Sequence, residues 1–175
     1  RKEVQRLKED TSAEVLTKEI QQLKMNAGTV AVSGPGVVVS MDDSKKSTKP
    51  GENPNLYLIH DDDLLKVINE LWAAGAEAIA INEQRLIASS EIRCAGPTVS
   101  VNNSRFSPPY VIRAIGEPKS LEASLKMRGG VIETLKFWGI QVTVSQEENV
   151  LVPAFKGTFR FDYAKAVQEG KSRSI

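Results

Sequence analysis

Several groups of side chains in this sequence have the types that chemistry requires. His60-Asp61-Asp62-Asp63 places an imidazole beside three consecutive carboxylates, a set that could ligate a cation. These acids lie where a helix begins, and carboxylates there satisfy unpaired amides and the helix dipole. No Asp-x-Asp-x-Asp-Gly calcium loop is present, so they read as caps and no metal is expected. Ser33-Gly34-Pro35-Gly36 suggests a phosphate cradle, but the G-x-G-x-x-G and G-x-x-x-x-G-K-[ST] spacings are absent and no helix follows. A tight turn or bulge between two strand segments is the simpler reading. Ser89, Ser90 and Ser100 have no His and acid in a triad motif and no G-x-S-x-G. Asp61, Asp63 and Glu91 could form a carboxylate pair for glycan hydrolysis, yet capping or solvation accounts for each. Cys94 is the one thiol; it reads as a small buried hydrophobe, far along the chain from the one histidine, His60. No catalytic constellation emerges, so the chain is read as non-enzymatic and without a cofactor.

The totals agree. The 175 residues suffice for one domain plus an appendage, and 41% hydrophobic with 26% charged residues is ordinary for a globular protein. A formal net charge of +1, well mixed along the chain, gives no reason to expect nucleic acid. One cysteine excludes an intramolecular disulfide and a four-cysteine zinc site. No run approaches the roughly 20 apolar residues that cross a bilayer. The sequence opens at Arg1, already inside a helical pattern, and is expected to be a fragment of something longer.

The elements that must position these groups follow from pattern. Residues 1–26 lack Gly and Pro and carry a narrow apolar stripe at Val4, Leu7, Val15 or Leu16, Ile20 and Leu23, interrupted by Thr11. Such a stripe is best buried against a partner helix, so a self-associating stalk ending at Asn26-Ala27-Gly28 is expected. Thr29–Met41 reads as strand, and Asp42–Asn55 as a mobile polar loop. Asp62–Ala74 has one broad apolar face and Gly75 as terminator, and Ala76–Asn82 reads as a buried strand. Arg85–Ala88 returns as its partner, and three short extended pieces lie within Ser89–Phe106, with Asn102-Asn103 as a two-residue hairpin. Tyr110–Gly116 is a second buried strand; Pro118 opens a helical region running to Trp138, broken at Gly129-Gly130. Ile140–Val144 is a strand, with a turn at Gln146–Asn149 and a hairpin partner at Val150–Val152. The tail after Pro153 carries Phe155, Phe159, Phe161 and Tyr163 and then frays.

The essentials reduce to β-α-β-β-α-β, an α+β sandwich of the ferredoxin-like kind, with 84–106 inserted as a β-ribbon that extends one edge. The domains are then a coiled-coil stalk helix at 1–27, the sandwich at 28–164 and a frayed tail at 165–175.

The run GAEAIAINEQRLIASSEIRCAGPTVSVNNSRFSPPYVIRAIGEP, with GPGVVVSMDDS, DLLKVINELWAAGAEAIAIN and LVPAFKGTFRFDYA, resembles the bacterial domain family of unknown function 881. This is the uncharacterised YlxW/YlxX type of Gram-positive bacteria. Glu83 stands where the resemblance implies a turn glycine. The resemblance implies a single-pass membrane helix outside this sequence, a coiled coil, and this domain on the extracytoplasmic side of the cell membrane. It also implies a setting among cell-division and envelope genes, with a link to sporulation, and it supplies no catalytic residues. The expected function is an interaction module or scaffold: a homodimer through Val4, Leu7, Leu16, Ile20 and Leu23 that binds envelope or cell-division proteins. The alternative is a small-ligand-binding regulatory domain, with Gly34, Pro35, Gly36 and Asn82 lining the site.

Overall fold

The computed structural model describes residues 2–47, 50–158 and 160–167, with side chains described from residue 13 onward. The chain runs α1 (Lys2–Asn26), β1 (Val32–Asp42), α2 (Asp61–Ala73), β2 (Ala78–Ile81) and β3 (Gln84–Arg85). It continues through β4 (Ile92–Ala95), β5 (Thr98–Val101), β6 (Ser104–Phe106) and β7 (Tyr110–Ile115). The last elements are α3 (Pro118–Leu125), α4 (Val131–Phe137) and β8 (Gln141–Val152). The fold is α+β, with two antiparallel sheets: one of five strands, order β3-β2-β7-β1-β8, and one of three, order β4-β5-β6.

Alternation along the central strands sorts their side chains to two faces. On one face Val37, Val39, Met41, Ile79, Ile81, Tyr110, Ile112 and Ala114 meet the apolar stripes of the helices. Those stripes are Leu64, Val67, Ile68 and Leu71 of α2, Leu121 and Leu125 of α3, and Ile132 and Leu135 of α4. The three-stranded sheet adds Val99 and Val101 to the same core. On the other face Ala78, Ala80, Ile115, Val150 and Val152 form a second, smaller apolar cluster.

β1 passes unbroken through Gly34-Pro35-Gly36, where the sequence suggests a tight turn or a bulge; of the two it is the bulge that forms. A bulge against β8 absorbs the irregularity, and the Pro35 carbonyl accepts from the Gly116 amide at 2.9 Å. Gly36 is required by space: a Cβ there would lie 2.0 Å from the Ala114 carbonyl oxygen of β7. The hairpin expected at Gln146–Asn149 is absent. β8 instead continues as one strand from Gln141 to Val152 along β1, with Gln146 opposite Val37 and Glu147 opposite Gly36, and the bulge falling between Glu147 and Val150. β8 is an edge strand, so the polar run that resembles a turn is the solvent-facing stretch of an extended strand.

The ribbon is also placed differently. Only Gln84–Arg85 extends the edge beside β2; the rest is a separate sheet whose β4 packs by the start of α2. The Asn102-Asn103 hairpin forms as expected, with φ of 49° and 61°. Between β2 and β3 the positive φ falls on Asn82 (50°) and not on Glu83, so the expected glycine is not needed. The described part of the 42–55 loop is tied down: Asp43 accepts from the Ile59 amide at 2.8 Å, and Lys46 Nζ donates to the Phe137 carbonyl at 3.1 Å. Phe159 and residues 168–175 of the tail lie outside the described residues.

Candidate functional site

α1 forms because residues 2–26 lack breakers, and it ends in a left-handed Gly28 (φ 72°). The Gly28 amide closes on the Met25 carbonyl at 3.0 Å, and the Thr29 amide on that of Lys24 at 3.0 Å. Leu16, Ile20 and Leu23 stand three and four residues apart, on one side of the helix, and are 57%, 44% and 65% exposed. Val4 and Leu7 lie where side chains are outside the described residues. The helix therefore carries an apolar stripe that its own domain leaves uncovered.

Where α1 meets the sheet, the chain buries a charge. Arg85 of β3 lies opposite Ala80 in register and is 5% exposed. Its Nη2 donates to the Met25 carbonyl in the last turn of α1 at 3.4 Å. Its Nε and Nη1 are buried without a hydrogen-bond partner among the described residues. Burial pulls the guanidinium pKa below its usual range. Gly28 makes room for this arrangement: a Cβ there would lie 2.8 Å from Ile87 Cγ2 and 3.5 Å from Arg85 Nε.

Two clefts adjoin this junction. One, of about 450 Å³, is walled by the end of α1, the small apolar cluster and Arg85. The other, of about 500 Å³, lies toward Trp72 and Leu86–Ala88. Asn26, Glu77 and Arg85 line both. Sequence reasoning did not single out Arg85. The available signal was an arginine directly after the turn of a buried strand.

The groups whose types could do chemistry have structural partners. Asp63 accepts from the His60 amide at 3.0 Å, and Asp62 pairs with Lys66 Nζ at 2.7 Å, as helix-start acids do. Burial, the larger effect, raises the Asp63 carboxyl pKa against that bond. Ligand atoms of His60, Asp62 and Asp63 lie within 4.8 Å of one another, so this is where an ion could be held. Cys94 is exposed, contrary to the expectation of burial, because β4 sits over the start of α2 at the rim of the core. Its amide donates to Asp61 at 2.8 Å and its thiol to the same carboxylate at 3.2 Å. Glu91 accepts from the Asn103 amide and holds the β5–β6 turn, while Ser90 Oγ accepts from the Ile87 amide at 2.9 Å.

The glycine-rich stretch and Asn82 are not brought together. Gly36 pairs with Ile115 at one end of β7, whereas Asn82 accepts from the Val111 amide at 2.9 Å near the other. Asn82 also accepts, through its carbonyl, from Arg113 at 2.9 Å, so it acts as a clip between β2 and β7.

No helix among the described residues is long and apolar enough to cross a membrane. A family model described as bacterial protein of unknown function (DUF881) matches residues 19–165. The UPF0749 protein YlxW of Bacillus subtilis is 39% identical over 132 residues, covering 75% of this chain and 57% of that protein. The UPF0749 protein Rv1825 of Mycobacterium tuberculosis is 34% identical over 150 residues, covering 83% of this chain and 48% of that one. The chain thus spans about half the length of these relatives. A crystal structure of an uncharacterised conserved protein from Mycobacterium tuberculosis matches with a TM-score of 0.69 at 31% identity, over 85% of this chain and 99% of that one.

Proposed function

We propose that this chain, which belongs to the bacterial protein family of unknown function DUF881, is a non-enzymatic interaction module that pairs through α1. The exposed stripe Leu16, Ile20 and Leu23 carries this reading. The three side chains are about half exposed, so burying what remains against a partner helix is worth roughly 1 kcal/mol each. The order β2-β7-β1-β8 with antiparallel neighbours supports a ferredoxin-like split-βαβ arrangement, in which α2 and α3–α4 are the two crossovers. The module would sit on the extracytoplasmic side of the cell membrane, tethered by a segment outside this sequence, and scaffold envelope or cell-division proteins. Support for that placement is the family resemblance alone.

Sedimentation equilibrium of residues 1–175 and of a chain beginning at Gly28 tests the pairing. The longer chain is expected to dimerise and the shorter to remain monomeric. Monomers in both cases would remove the self-association.

A further inference from the structure

We propose that the clefts at the α1–sheet junction bind a small carboxylate–ammonium zwitterion, of amino-acid to dipeptide size, between Arg85 and Glu77. Four observations carry this, and none depends on α1 pairing. Arg85 is 5% exposed, yet among the described residues its Nε and Nη1 have no hydrogen-bond partner, a state a protein rarely leaves without a counter-group. The guanidinium's bond from Nη2 to the Met25 carbonyl is long at 3.4 Å. Glu77 lines the same two clefts, but no ion pair within 4.0 Å joins it to Arg85. These opposite charges line one cleft of about 450 Å³, a volume suited to a small molecule.

The charge count selects the ligand. Among the described residues, Arg85 and Glu77 are the only charged ones lining either cleft, so these walls sum to zero. A doubly charged phosphate would gain one cation and meet one carboxylate. A bare carboxylate would fare little better. A zwitterion satisfies both groups: its carboxylate accepts from the guanidinium and its ammonium donates to Glu77. Ala78 and Ile115 offer a small apolar floor, and Asn26, common to both clefts, offers an amide to a peptide or α-carbon substituent. The residues are distinct from Gly34–Gly36 and Asn82.

The test is a titration of the full 175-residue chain, followed by amide chemical shifts, with glycine, alanine, alanyl-alanine, acetate, methylamine and inorganic phosphate. Saturable shifts at Glu77, Arg85 and Ile115 are expected with the zwitterions, at least tenfold tighter than with acetate, methylamine or phosphate. R85Q and E77Q should each weaken zwitterion binding at least tenfold. Because Glu77 is exposed, E77Q keeps the test decisive if R85Q fails to fold. Absence of saturable binding at 50 mM, equal binding of acetate, or undiminished binding by E77Q would overturn the proposal.

Discussion

Arg85 Nη2 reaches the Met25 carbonyl at 3.4 Å, joining edge strand β3 to the end of α1 across 60 residues of sequence. That contact satisfies one donor of a buried guanidinium and leaves Nε and Nη1 without partners among the described residues. A buried charge so poorly compensated contributes little to stability, and an apolar residue of similar length replaces it at no loss. R85M is therefore expected to leave the unfolding free energy unchanged or raise it by about 1 kcal/mol, measured by urea denaturation. A loss of about 3 kcal/mol or more would mean that the charge is well paired in solution.

Gly36 and Gly34 separate a backbone clash from a side-chain one. A Cβ at 36 meets the Ala114 carbonyl oxygen at 2.0 Å, whereas at 34 it meets Ile115 Cγ2 at 3.2 Å. G36A should force β1 away from β7 and cost about 3 kcal/mol or more, while G34A should cost no more than about 1 kcal/mol. Thermal unfolding of the two variants checks the difference. Equal effects would contradict the register of the central strands.

Asp61 and Cys94 give a pH signature. The Cys94 amide is the largest of the effects holding the Asp61 carboxyl below the usual carboxylate range, against an opposing cost of burial. A carboxyl depressed by folding adds stability above its unfolded pKa and loses that increment as pH falls through the lower folded value. The difference in melting temperature between the native chain and D61A should thus be constant from about pH 5 to 8 and shrink below about pH 4. The Cys94 thiol shifts upward, chiefly by burial, with the Asp61 charge adding to it. Iodoacetamide should accordingly modify Cys94 more slowly than a thiol in the urea-unfolded chain, and faster in D61A than in the native chain.

How far the sequence could be read depended on whether a signal was local. The face of α2, the caps at Asp61–Asp63, and the buried runs at Ile79 and Ile112 are local patterns, and they fold as patterned. The Asn102-Asn103 turn is legible for the same reason. β8 was hidden because edge-strand residues such as Gln146 and Glu148 face water, as turn residues do. β1 was legible as strand with a turn or bulge at 33–36, but only its packing against Ala114 shows why Gly36 must be glycine. Exposure of Cys94 depends on β4 crossing the start of α2, a contact spanning 33 residues. Arg85 carried one weak local mark, its place directly after the turn of a buried strand; its contact with the end of α1 spans 60 residues and is not local.

Pairing through α1 is tested most directly by cysteines placed one at a time on a C94S background. Leu16 and Leu23 lie on the apolar stripe, whereas Lys18 and Gln21 lie about 140–160° round the helix from them. Under mild oxidation L16C and L23C should form intermolecular disulfides in high yield, since paired helices bring such positions within disulfide distance, and K18C and Q21C should not. Equal yields at all four positions, or none at any, would contradict a stalk that pairs along this face.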